Sequence, residues 1–125
     1  MNPTTVLLIS RDPQIRRALE QVVPSGSTIL PADAIASGIR QLHRPDLSLI
    51  VCEGSPQVVE PLLQQTQVSP RPVPVIVIGP RNSARDAVEA MRAGAADYLT
   101  TPITVADLDA AVRRARSIPN QILTT

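Results

Sequence analysis

Five short runs of mostly apolar residues recur along the chain, and segments with a different hydrophobic period separate them. Runs such as 5–9 and 73–78 have almost no polar interruption, which is typical of a parallel strand buried on both faces of a sheet. The pattern therefore predicts five strands, at residues 5–9, 27–30, 47–51, 73–78 and 95–99.

In the intervening segments, apolar residues return every three or four positions, which is the spacing of one helical face. Asp12 can cap the first helix, with Pro13 at its first position, and Thr104 can cap the fifth. Pro61 interrupts the third pattern, so we expect that helix to start late, with Pro61 in its first turn. The second, third and fourth helices are predicted at residues 33–42, 57–67 and 83–92. The fourth carries one apolar stripe, formed by Ala84, Ala87, Val88 and Met91.

Strands that alternate with helices indicate parallel βαβ units, so we predict an α/β domain with helices on both faces of the sheet. In an open sheet of this kind, functional sites form beyond the carboxyl ends of the strands. The segments at that edge are 10–12, 52–55, 79–81 and 100–102. Any chemistry is therefore expected in these four loops.

The length of 125 residues fits one domain, which we place at 1–118, with 119–125 as a linker or tail. A net charge of +1 gives no attraction to nucleic acid or anionic lipid, and Tyr98 alone cannot form a base-stacking surface. Cys52 is the only cysteine, which excludes an internal disulfide. Neither a signal peptide nor a membrane-spanning stretch is recognisable, so we expect a cytoplasmic protein.

The segment 90–103, which reads AMRAGAADYLTTPI, resembles the receiver domains of two-component response regulators. Three other stretches match that family in the same order, at residues 6–13, 44–47 and 74–78, and the likeness covers residues 4–117. The resemblance implies the flavodoxin-like receiver fold, with a five-stranded parallel sheet in the order 2-1-3-4-5 and five helices on both faces. It also implies a cis peptide bond before Pro102, and it identifies Tyr98 as the aromatic residue that the family uses as a switch.

The resemblance also implies five functional positions, and this chain lacks the family's residue at each of them. The phosphoacceptor aspartate is replaced by Val51 or Cys52, and two ways of aligning the segment leave that choice open. The acidic pair that binds Mg²⁺ is replaced by Ser10 and Arg11, the hydroxyl residue by Gly79, and the lysine by Thr101. Aspartyl phosphorylation needs a carboxylate nucleophile and a divalent cation held by oxygen ligands. We therefore expect no catalytic residue, metal or cofactor, and no enzyme activity.

The main hypothesis is a pseudo-receiver, a signalling module that binds another protein domain without being phosphorylated. The partner would be an output domain, a kinase or a second copy of the chain, and contact with nucleic acid or membrane is not expected. The family binds partners through the fourth helix, fifth strand and fifth helix. In this chain that face carries charges of both signs, which suits a specific interface. It comprises Arg85, Glu89, Arg92, Asp97, Tyr98, Asp109 and Arg113.

Two alternatives remain open. The domain could be a receiver that is phosphorylated at an atypical acceptor, Glu53 or Asp12. The vacated pocket could instead bind a small anion or ligand through Arg11, Arg81, the Gly79 amide and the hydroxyls of Thr100 and Thr101. We weigh this anion site against a closed pocket, and we expect the closed pocket, in which Arg11 pairs with Asp12 or Glu53. Cys52 is expected to pack rather than to react.

Overall fold

All five predicted strands are present, with shifted ends, in the computed structural model, which describes residues 4–80 and 82–124. The strands are β1 (Thr5–Ile9), β2 (Thr28–Ala32), β3 (Leu47–Glu53), β4 (Val75–Gly79) and β5 (Asp97–Thr100). The helices are α1 (Pro13–Val22), α2 (Ile35–Ile39), α3 (Pro56–Val68), α4 (Ala84–Arg92) and α5 (Val105–Thr124). Neighbouring strands are parallel and lie in the order β2-β1-β3-β4-β5, which confirms the predicted fold.

Helices cover both faces of the sheet and create two buried layers. On one face, alternate residues of β1, β3 and β4 pack against α1 and α5. On the other face, the remaining residues of these strands pack against α2, α3 and α4. Leu49 and Ile50 are adjacent on β3 and both fully buried, yet they belong to different layers. This two-sided burial explains why the central strands have continuous apolar sequences rather than alternating ones.

The helix ends follow local signals in the sequence. Asp12 Oδ1 accepts a hydrogen bond from the Gln14 amide at 2.9 Å, and Thr104 Oγ1 accepts one from the Asp107 amide at 3.0 Å. These bonds satisfy amides that have no partner inside the helix, and they confirm both predicted caps. After α4, the backbone of Gly94 has a φ of 114°, a conformation that glycine adopts readily and that ends the helix.

Helix α3 corrects one prediction, because it starts at Pro56 and contains Pro61 in its interior. A proline inside a helix removes the hydrogen bond to the carbonyl four residues earlier, here that of Gln57. Pro61 and Gln57 are both exposed, so this carbonyl lies on the solvent side of the helix. Leu62 and Leu63 are fully buried on the opposite side and hold the helix on the sheet. Tertiary packing therefore outweighs the local cost of the proline.

Two other helices differ in length from their predictions. Helix α2 is shorter than 33–42, because the amides of Gln41 and Leu42 bond to carbonyls only three residues back, at 3.0 and 3.1 Å. Such bonds form tighter turns than an α-helix. Helix α5 is longer and includes 119–124, which we predicted as a linker or tail.

Although α5 has 20 residues, no helix within the described part of the chain is long and apolar enough to cross a membrane. The domain boundary at residue 118 stays a prediction.

The apolar stripe of α4 faces solvent, which the hydrophobic pattern alone would not indicate. Such a stripe ordinarily faces the core. Here Ala90 is the buried residue of the helix, whereas the side chains of Val88 and Met91 are each 47% exposed. Helix α4 therefore packs on the sheet through a small side chain and presents its larger apolar side chains outward.

The two edges of the sheet are formed by β2 and β5. Strand β2 pairs with β1 along its whole length, and Pro31 lies opposite Leu8 in this register. Pro31 is exposed, whereas its neighbour Ala32 is buried. A proline inside a strand is compatible with an edge position, where one side of the backbone has no strand to bond.

Candidate functional site

The carboxyl ends of β1, β3, β4 and β5 meet at one edge of the sheet, as the sequence analysis predicted. The amide of Gly54, after β3, bonds to the Ile78 carbonyl of β4 at 2.9 Å. The amide of Thr101, after β5, bonds to the Gly79 carbonyl at 3.4 Å. The backbone thus ties three of the loops together, and the fourth, after β1, joins them through side chains.

Ser10 connects the loop after β1 to the end of β3. Its Oγ donates a hydrogen bond to Glu53 Oε1 at 2.7 Å and accepts one from the Asp12 amide at 3.0 Å. The Asp12 carboxylate in turn caps α1 through the Gln14 amide. Both carboxylates nearest to the edge are therefore engaged in structural hydrogen bonds.

The Ser10–Glu53 hydrogen bond was not predicted, although the sheet order contains the signal for it. In the parallel register, Ile9 lies opposite Cys52, so Ser10 and Glu53 are the next residues of the two strands. We expected Arg11 to close the pocket by pairing with Asp12 or Glu53. That expectation is wrong: Arg11 is exposed and takes part in no ion pair within the described residues. Glu53 has an uncharged donor, Ser10, as its hydrogen-bond partner instead.

The residues at this edge do not fit the divalent cation that receivers use. Mg²⁺ requires a near-octahedral set of oxygen ligands, usually with one or two carboxylates available to it. Glu53 accepts a hydrogen bond from Ser10, and the Asp12 carboxylate caps helix α1. Arg11, which lies between Ser10 and Asp12 in the sequence, adds a positive charge. No cluster of three or more His, Cys, Asp or Glu side chains suited to a metal is found in the described part of the chain.

The two candidate phosphoacceptor positions are both buried completely. Val51 lies in the layer beneath α1 and α5, and Cys52 lies in the layer beneath α2, α3 and α4. Burial, followed by the nearby charge of Glu53, raises the pKa of the Cys52 thiol to about 12. Whichever position aligns with the acceptor, it presents no carboxylate and no accessible nucleophile.

We expect the Cys52 thiol to resist modification while the protein is folded. The thiolate is the reactive form, and a pKa of about 12 leaves almost none of it at pH 8. With a maleimide reagent at pH 8, intact-mass analysis should show labelling only in urea, at a rate that follows unfolding. Rapid labelling without denaturant would contradict the burial of Cys52.

Gly79, at the position of the family's hydroxyl residue, lies directly against the ring of Tyr98. A Cβ atom at residue 79 would be 2.5 Å from Tyr98 Cζ and 2.8 Å from Cε1, and closer still to the hydroxyl oxygen. The Tyr98 side chain is half-buried and packs against the layer beneath α2, α3 and α4. The Tyr98 ring therefore points inward.

The loop after β5 contains the predicted cis peptide bond, between Thr101 and Pro102. Thr100 and Thr101 are both partly buried at this edge. The remaining member of the postulated anion site, Arg81, lies outside the described residues. The anion site therefore stays a prediction.

The expected interaction face has most of its charges paired within the domain. Arg85 Nε lies 3.2 Å from Glu89 Oε1 on α4, and the guanidinium of Arg113 lies 2.9 Å from Asp109 Oδ2 on α5. Both pairs link residues four positions apart and are solvent-exposed, so each contributes little to stability.

Two further residues that we predicted on this face are Asp97 and Arg92. Asp97 of β5 accepts a hydrogen bond from Arg114 Nε of α5 at 2.8 Å, and Arg92 is exposed beside Met91. Sequence reasoning placed Tyr98 on this face, but its ring turns toward Gly79. It did not include Val88 and Met91, whose exposed apolar side chains form the uncharged part of the surface.

Comparison with known proteins agrees with this geometry. The chain is 32% identical over 120 residues to the KDP operon transcriptional regulatory protein KdpE of Escherichia coli, an alignment that covers 90% of this chain and 51% of that protein. It is 36% identical over 118 residues to the transcriptional regulatory protein KdpE of Mycobacterium tuberculosis, covering 89% and 52%. The chain thus spans about half the length of these relatives. No protein-family model matches it.

Solved structures share the fold. A response regulator receiver domain protein from Clostridium thermocellum superposes with a TM-score of 0.71 over 98% of this chain and 99% of that one, at 21% identity. At that identity the likeness concerns the fold alone. The two sequence relatives align with about nine-tenths of the chain. By sequence and by strand order, the chain is therefore a homologue of response regulators and has the fold of their receiver domains.

Proposed function

We propose that this domain is a pseudo-receiver, which regulates a partner by docking to it and does not depend on phosphorylation of its own site. The observation that carries the proposal is the end of β3. Both candidate acceptor positions, Val51 and Cys52, are fully buried, and the adjacent carboxylate, Glu53, is hydrogen-bonded to Ser10. Phosphoryl transfer needs an accessible nucleophile and a cation to balance the phosphoryl charge. Among the described residues, this edge presents no unengaged nucleophile and no set of ligands suited to such a cation, so we propose that the domain has no enzyme activity.

The apolar stripe of α4 supports the docking part of the proposal. Val88 and Met91 are exposed and lie among charged residues of both signs, including Arg85 and Glu89. An exposed apolar patch with a polar rim is a common property of protein interaction sites. The partner we propose is a protein: an output domain, a kinase or a second copy of the chain. The relatives, whose names describe transcriptional regulators, are about twice as long, which leaves room for an output region.

Phosphorylation by a small donor tests the proposal directly. After incubation with acetyl phosphate and Mg²⁺, intact-mass analysis should find no chain that has gained a phosphoryl group, because no accessible carboxylate is free to attack. A conventional receiver treated in parallel shows that the donor is active.

A gain of one phosphoryl group would contradict the proposal. Its loss in Glu53→Gln or in Asp12→Asn would then identify the atypical acceptor, and the receiver alternative would replace the pseudo-receiver.

A further inference from the structure

A cavity of about 270 Å³ lies at the amino ends of β3 and β4, at the edge of the sheet opposite to the candidate functional site. We propose that this cavity binds a small carboxylate with an apolar body. Its walls come from the loop between α2 and β3 and from the loop between α3 and β4. They include Leu42, Arg44, Pro45, Pro70, Arg71 and Val73. The proposal goes beyond the proposed function, because it concerns neither the vacated pocket nor the α4 stripe.

The apolar wall of the cavity forms because β3 and β4 are neighbours in the sheet. The Ile50 amide bonds to the Pro74 carbonyl at 3.0 Å, so the segment that enters β4 runs beside β3. Leu42 and Val73 are partly buried and pack against the layer beneath α2, α3 and α4. Together with the two prolines, they give the cavity an apolar wall. Such a wall binds the body of a ligand, because both surfaces are removed from water.

Arg71 supplies a positive charge at the cavity. Its Nη2 lies 3.5 Å from the Leu47 carbonyl oxygen, an acceptor without net charge. Arg71 takes part in no ion pair within the described residues, so no carboxylate among them compensates its charge. A guanidinium carries its N–H donors in a planar fork that matches the two oxygens of a carboxylate. An anion in the cavity can therefore accept charge-assisted hydrogen bonds from Arg71.

Arg44 is a second guanidinium at the cavity, and the domain already holds it in place. Its Nε and Nη2 donate to the two carboxylate oxygens of Asp46, at 3.2 and 3.1 Å. Asp46 Oδ2 also accepts a hydrogen bond from Thr5 Oγ1 at 3.0 Å. The Arg44–Asp46 pair therefore adds donors but no net charge, whereas the charge of Arg71 remains. One positive charge is complementary to a monoanion, which favours a carboxylate over a doubly charged phosphate.

The size of the cavity limits the size of the ligand. A water molecule occupies about 30 Å³ in the liquid, so a cavity of about 270 Å³ holds a ligand of roughly nine non-hydrogen atoms. Benzoate is of this size and combines a carboxylate with an apolar ring. A ligand this small is expected to bind with a Kd of about 1 mM.

A titration of the wild-type protein with benzoate, followed by two-dimensional amide NMR, tests the site. The amide signals of residues 42–44, 71 and 73 should shift and saturate with a Kd of about 1 mM. Acetate, which lacks the ring, and benzyl alcohol, which lacks the charge, should each bind at least about ten-fold more weakly, because each loses one of the two contacts.

Arg71→Gln should weaken the binding of benzoate at least about ten-fold, because it removes the uncompensated charge. The matched control is Arg17→Gln, which makes the same change in net charge at an exposed position of α1, on the other face of the sheet. It should bind benzoate as the wild type does. Arg44 is less suitable for this test, since its replacement would also leave Asp46 without its partner.

Equal binding of benzoate by Arg71→Gln and Arg17→Gln would overturn the proposal. So would equal affinity of the wild type for benzoate and either acetate or benzyl alcohol, shifts confined to other residues, or no saturable shift. Arg71 is exposed, so we expect its variant to fold. If it does not, the three ligands compared on the wild type decide. None of these readouts involves phosphorylation or docking, so their outcome is independent of the proposed function.

Discussion

Replacing Cys52 with aspartate should lower the free energy of unfolding by about 3 to 5 kcal/mol at pH 7, rather than restore phosphorylation. Cys52 is fully buried in a layer of apolar side chains, and the charged group that acts on it, Glu53, is an anion. An ionised carboxylate there loses its hydration without gaining a partner. Urea denaturation measures the loss, and treatment with acetyl phosphate should still give no gain in mass.

The pH dependence of this variant has a definite sign. Burial raises the pKa of a carboxyl group in the folded state above its unfolded value of about 4. Below that value both states bind the proton, so Cys52→Asp loses least stability there. As the pH rises, the unfolded state releases its proton first, and the penalty grows until the folded pKa is passed.

Cys52→Asn is the matched control, because it has the same shape and a polar group but no charge. Its loss of stability should be smaller at pH 7 and should not change between about pH 4 and 7. If Cys52→Asp were as stable as Cys52→Asn at pH 7, water or a counter-charge would have to reach the end of β3. The acceptor position would then not be closed to solvent, and the burial on which our proposal rests would be contradicted.

Met91→Glu should weaken the docking that we propose for this domain, while leaving the fold intact. Met91 is 47% exposed at the C-terminal end of the α4 stripe, so a substitution there should change the stability by no more than about 0.5 kcal/mol. Burying an unpaired carboxylate in an interface costs about 2 kcal/mol or more, which weakens partner binding about thirty-fold. If the domain acts by this docking, the phenotype of the variant strain should resemble that of a deletion strain.

Val68→Glu provides the comparison for this experiment. Val68 is 77% exposed at the end of α3, outside the proposed face, and the substitution introduces the same charge. Its strain should behave as wild type, with equal amounts of both variant proteins by immunoblot. If Met91→Glu also behaves as wild type, or if both variants fail alike, the α4 stripe is not the docking surface.

The strands were the most predictable part of the fold. A run such as Val75–Ile78 is apolar at every position, and only a strand covered on both faces buries all of it at this length. The helix caps at Asp12 and Thr104 were also predictable, because a short polar side chain before an apolar period satisfies free amides in a known way. The cis bond before Pro102 came from the family resemblance and not from local physics.

The errors arose where tertiary packing overrides a local pattern. Pro61 suggested a late helix start, but Leu62 and Leu63 bury enough apolar surface to hold the helix through the proline. The stripe containing Val88 and Met91 has the same period as a core-facing stripe, and periodicity does not say which face the core will take.

At the candidate site, the sequence predicted which of the family's functional residues are replaced, but it did not predict the contacts that the replacing residues make. The replacements at Gly79 and Thr101 can be read from the alignment with the family alone. The Ser10–Glu53 hydrogen bond and the Gly79–Tyr98 contact depend on which strands are neighbours and in what register. Such contacts between distant residues become visible only once the sheet order is known.

The position of Pro31 restricts how copies of this domain can aggregate. An edge strand with free amide groups is a template onto which a strand of another molecule can add, and growth of this kind leads to fibrils. Pro31, the fourth of the five residues of β2, removes one donor from the outermost strand on its side of the sheet. We therefore expect the β2 edge to resist strand-by-strand polymerisation.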